Sequence, residues 1–156
     1  MIQSKADRNV KIQSLTVKDV YDLAQIDFDT ESPIKVLNTL LIKNSSLVGI
    51  QNNIVGLLLI DILTLSDLEF SEDTDKNLRR ISSVANTYPH IFGDSNDRPE
   101  LREEINDLYN KVVEDIQPDI EDMIKDKFKI YKALNIQPSE LDKFPYWEYK
   151  RYLKML

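Results

Sequence analysis

The side chains able to do chemistry in this chain are few and far apart. The one histidine, His90, stands in a stretch of proline and glycine. A metal ligand or general base needs partners at fixed geometry, and no second histidine exists to supply them, so His90 is read as a loop residue. The absence of cysteine removes disulfides and thiolate metal sites and fits a reducing compartment. Two acidic runs begin like calcium loops and then break the pattern. In the run that starts at Asp73, the sixth place is Leu78 where glycine is needed, and the twelfth is Val84 where glutamate is needed. The run from Asp94 to Asp97 meets Pro99 at its sixth place. Asp61 is the lone carboxyl inside the most apolar segment. Burial there would raise its pKa towards general-acid chemistry, while the plainer alternative is an exposed or hydrogen-bonded position at the edge of the core. With three glycines in all, there is no phosphate-cradling loop, and neither a nucleophile elbow nor a zinc-binding histidine pair is present. No catalytic residue, metal or cofactor is assigned, and the chain is read as a non-enzyme.

The sharpest pattern lies at the carboxyl end. Residues 135–156 hold two prolines at helix-start positions, Pro138 and Pro145, which divide the segment into a short helical turn and a final helix. In that helix Tyr146, Tyr149, Leu153 and Leu156 share one stripe, with Trp147 and Tyr152 beside it. Tyr and Trp interleaved with Lys and Arg are enriched where proteins bind one another, because they bury large areas and keep a polar tip. Phe144, Tyr146, Trp147, Tyr149, Tyr152 and Leu153 are therefore the candidate partner-binding residues. The alternative is that the same stripe docks on the chain's own core.

Upstream, apolar spacing predicts the elements that must carry this tail. Thr16 reads as an N-cap with Asp19 three residues later, opening a helix over about 16–25. Ser32-Pro33 opens a second helix through Ile34, Leu37, Leu40 and Leu41. The run from Ile54 is apolar on every face, and its length favours a buried central helix over a strand. A polar break at Ser71–Asp75 leads into a helix to about 87 with Leu78, Ile81, Val84 and Ala85 inward. Pro89–Arg98 is the most loop-like stretch and the best hinge or boundary. Beyond it, one charged helix runs from Pro99 to Ile116. A second starts at Pro118 with Ile120, Met123, Ile124, Phe128, Tyr131 and Leu134 as its apolar stripe. The expected fold is mainly α: about six helices, with residues 1–88 forming a helical core behind a flexible N-terminal arm, in which the alternating Val10-Lys11-Ile12-Gln13 offers an edge strand as the alternative. Residues 99–156 form a helical region packed on that core as one domain.

Totals bound the rest. A chain of 156 residues with 42% hydrophobic and 30% charged content has the make-up of one folded domain. The amino-terminal residues lack a signal-peptide core, and the longest apolar run, Ile54 to Leu65, falls short of the roughly 20 residues of a membrane span. Charge is uneven. Residues 67–122 carry 6 Lys or Arg against 16 Asp or Glu, whereas residues 123–156 carry 8 against 4. An acidic body with a mildly basic tail makes neither nucleic acid nor a membrane the expected partner. Opposite segments could instead pair within the chain or between subunits.

The phrase Leu141-Asp-Lys-Phe-Pro-Tyr-Trp-Glu-Tyr149 resembles the carboxyl-terminal segment of tail-assembly chaperones and baseplate-hub assembly proteins of tailed bacteriophages. The earlier Ser14-Leu-Thr-Val-Lys-Asp19 is similar to a motif near the start of such proteins. The resemblance implies a helical assembly protein in the host cytoplasm that binds a tape-measure or baseplate-hub protein, possible as a homo-oligomer, and singles out Tyr146, Trp147, Glu148 and Tyr149. A permanent structural subunit of the tail or baseplate is the alternative.

Overall fold

A computed structural model of the protein describes residues 1–88 and 98–156. Its elements in chain order are β1 (Ile2–Gln3), β2 (Lys11–Ile12), α1 (Val17–Ala24), α2 (Pro33–Lys43), α3 (Asn52–Leu65), α4 (Glu72–Thr87), α5 (Pro99–Ile116), α6 (Ile120–Leu134), α7 (Pro138–Leu141) and α8 (Tyr146–Met155). The mainly helical class expected from the sequence holds. The described residues form eight helices where about six were expected, because each proline in the tail restarts the helix and α7 survives as a single turn.

Helix α3 occupies the centre, and this position explains why its sequence has no polar face. Val55, Leu58, Leu59, Ile62 and Leu63 are all buried. Helix α4 lies along it so closely that Gly56 meets the α4 backbone. A side chain at Gly56 would overlap the Leu78 carbonyl, and the Gly56 N–H donates to Ser82 Oγ at 3.0 Å. Helix α5 closes the other side against α2 and α4 with Ile105, Leu108, Tyr109, Val112 and Val113. Helices α1, α6 and α8 pack on one another, and their Val17, Val20, Met123, Ile130, Tyr146 and Tyr149 belong to the same buried cluster. Burying a side chain of this kind contributes roughly 1.5–3 kcal/mol, so the core outweighs any surface pairing.

The N-terminal stretch, expected as a flexible arm, is instead a two-stranded antiparallel hairpin, with Ile2 opposite Ile12 and Gln3 opposite Lys11. The Asp7 carboxylate accepts from the Asn9 N–H at 2.8 Å and holds the turn. Two further ties bind the hairpin to the helices. Backbone bonds join it to the end of α2, from Ser46 N to Lys11 O at 2.8 Å and from Gln13 N to Asn44 O at 2.9 Å. Asp61 of α3 supplies the other through one oxygen, accepting from Ser4 Oγ at 2.6 Å, Lys5 N at 2.9 Å and Ala6 N at 3.1 Å. Of the two readings open for Asp61, the hydrogen-bonded position at the core edge is the one found.

Helix caps follow the residue types. Thr16 and Asp19 form a complete capping box on α1. Ser71 caps α4, which starts at Glu72, about three residues ahead of the expected start. Asp119 caps α6 after the break at Gln117-Pro118, and the Gln117 amide donates to the carbonyls of Leu23, Ala24 and Ile26 at the end of α1. That single side chain satisfies carbonyls that the short helix leaves open.

Candidate partner-binding surface

The two motifs that carry the resemblance lie far apart in sequence and side by side in the fold. Val17 N donates to Phe144 O at 2.9 Å, Lys18 N to Asp142 O at 3.1 Å, and Tyr146 N to Leu15 O at 2.8 Å. Leu15 N in turn donates to Ser66 Oγ at the end of α3. The stretch Leu15–Val17 is thus clamped between the core and the tail, and its backbone groups are paired on both sides.

This clamp sets the rotation of α8. Tyr146 and Tyr149 are driven into the core, with ring centroids 5.6 Å apart. Burial pushes the Tyr146 phenol up to about 12 and the Tyr149 phenol higher still, since a phenolate there would lose its water. Lys150 donates to the Asp67 carbonyl at 3.1 Å and anchors the helix to the turn after α3. Of the six candidate partner-binding residues, Tyr146 and Tyr149 pack on the chain's own core, as the alternative reading of the stripe had it. Leu156, expected on the same inward stripe, is 61% exposed, since the stripe outruns the core beneath it.

The remaining candidates divide into two flanks. Phe144 and Tyr152 pack ring to ring at 6.0 Å and are half-buried, as is Leu153. On the opposite flank Trp147, Arg151 and Met155 follow at spacings of four in one row, with Trp147 half-buried and Arg151 and Met155 exposed. The Arg151 guanidinium lies 5.0 Å from the Trp147 ring centroid, and Met155 is 80% exposed. A Trp-Arg-Met row combines a large apolar ring, a weakly hydrated cation and an adaptable thioether, the side chains that give protein contacts most of their energy. Arg151 and Met155 carry no aromatic signal in the sequence, and the far side of a helix shows only after its inward side is known.

Helix α6 corrects the sequence reading more strongly. Its inward face is Met123, Lys127 and Ile130, while Ile124 is 50% and Phe128 56% exposed. The interior accepts Lys127 because Asp142 Oδ1 lies 3.2 Å from its Nζ and the Tyr21 ring centroid 3.9 Å away. Pairing and an aromatic face compensate the desolvated ammonium, and Asp142 is held in place by the same clamp.

Asp19 is the other buried charge. Besides its capping bonds it accepts from Asn44 Nδ2 at 3.3 Å and from Lys43 Nζ, and so ties α1 to the end of α2. Between these helices opens a cleft of about 490 Å³, lined in part by Asp19, Asp22, Lys35 and Lys43. Among the described residues no cluster of three or more His, Cys, Asp or Glu could hold a metal ion, and no helix is long and apolar enough to cross a membrane. His90 and the Asp94–Asp97 run lie outside the described residues. No family model, curated protein or solved structure matches the chain.

Proposed function

We propose that this chain is a non-catalytic protein-binding helper in the assembly of a phage tail or baseplate, acting in the host cytoplasm on a tape-measure or hub protein. The observation that carries the protein-binding part is this row of α8. Tyr146 and Tyr149 hold the helix down, and exposed Arg151 and Met155 stand in line with a half-buried Trp147 on a rigid support. Rigid aromatic anchors lose little side-chain entropy on binding. The phage part rests on the resemblance of the segments 14–19 and 141–149, which the fold joins into one structural unit.

Co-expression with a tape-measure protein of a tailed phage, followed by size-exclusion chromatography, tests the proposal. Comigration is expected, with loss of roughly tenfold or more in affinity for Trp147→Ala combined with Met155→Ala. Separate elution of the native pair would count heavily against it. Mass spectrometry of purified virions distinguishes a helper, absent from finished particles, from a permanent subunit.

A further inference from the structure

The outer face of α6 has no partner among the described residues and is built to match itself. We infer that two copies of this protein associate through antiparallel pairing of α6 with its own copy. Glu121, Ile124, Phe128 and Lys132 follow one another along the exposed side, at intervals of three and four residues. Acidic side chains, Glu121 and Asp122, occupy the first turn, and exposed Lys129 and Lys132 the last two. In an antiparallel pair centred near residue 126, Ile124 of each copy meets Phe128 of the other. Glu121 then faces Lys132, and Asp122 faces Lys129, each twice by symmetry. The two helix dipoles also run in opposite directions, which favours this arrangement over a parallel one.

Among the described residues nothing else uses these groups strongly. Lys129 reaches Asp126 only at 3.9 Å, and Lys132 Nζ lies 5.1 Å from the centroid of the Phe128 ring on its own helix. Lys125 approaches its own copy across the axis and is the one like-charge contact, which its long stem can relieve by turning towards Asp122. Two large apolar side chains per copy fall short of the roughly 1,200 Å² typical of a stable interface. Association is therefore weak, in the micromolar range or above, and weakened by salt. The α8 row takes no part, so the inference stands apart from the proposed function.

Sedimentation of the full chain over rising concentration tests it, with circular dichroism confirming that each variant folds. The native protein should dimerise, and Phe128→Asp should be monomeric. Glu121→Lys and Lys132→Glu, each alone, should weaken self-association by roughly tenfold or more, because each sets like charges opposite each other twice. Mixing those two variants should restore dimers of mixed composition, since every facing pair then carries opposite charge. A native chain that stays monomeric to millimolar concentration would overturn the inference. So would dimers indifferent to the charge reversals, or single variants that do not recover on mixing.

Discussion

Asp115 shows how one exposed carboxylate can fasten two helices. Burial works against its charge, but hydrogen bonds from Thr74 Oγ1 at 2.6 Å, Ser71 N at 2.8 Å and Ser71 Oγ at 3.0 Å outweigh that and hold its carboxyl below the ordinary range. A carboxyl lowered in the folded state contributes stability that is present above its unfolded value and lost as pH falls through the folded one. Asp115→Ala should cost about 1 kcal/mol at neutral pH, a modest figure because solvent screens the site. Denaturant titrations of the two proteins should converge below about pH 4. A gap that persists well below that pH, where the carboxyl is protonated in the folded protein too, would mean that the charge is irrelevant. Some residue-scale facts were readable beforehand: Thr16 and Asp19 stand at capping-box spacing and form that box. Lys127 was not readable, since a lysine among apolar residues looks like an exposed one until Asp142 and Tyr21 are brought to it from elsewhere in the chain.

The element boundaries followed from local chemistry, since Ser32-Pro33, Ser71 and Pro99 each open a helix as their backbone preferences dictate. The facing of those elements is a different matter. Gly56 lies mid-helix, where Ala would ordinarily gain about 1 kcal/mol from helix propensity. Here the added carbon would collide with the Leu78 carbonyl, a backbone atom that cannot swing aside. Gly56→Ala should therefore destabilise by about 2–3 kcal/mol, measured by chemical denaturation, and a stabilised variant would show that α3 and α4 do not touch there. Of the N-terminal hairpin only the second strand showed in the sequence, as the alternation Val10–Gln13, because the strands are two residues each and gain their order from Asp61 and the end of α2. An isolated hairpin of that size is marginal in water, so local pattern carries little trace of it.

Across the whole molecule, three buried tyrosines belong to the one core cluster. Tyr109 on α5 has its phenol raised well above the usual value by burial, as do Tyr146 and Tyr149 on α8. A phenol raised in the folded state supports stability fully below the unfolded pKa of about 10, and that support is lost as pH climbs through the folded values. Alkaline titration should therefore show phenolate absorbance from these rings appearing together with loss of helical circular dichroism. Tyr149→Phe should move that unfolding to higher pH. Phenolate formation near pH 10 by all the tyrosines, with helicity intact, would place these rings outside the core. What the sequence determined by itself was helical class, caps and the division of the tail, because each rests on contacts within one or two turns of chain. Tertiary structure alone decided which face of α6 and α8 points inward. Two interleaved stripes run along α6, one through Met123, Lys127 and Ile130 and one through Ile124 and Phe128, and apolar spacing alone prefers to bury Met123, Ile124 and Phe128 together with Lys127 outside. A distant carboxylate and tyrosine reverse that preference, which leaves a phenylalanine in water.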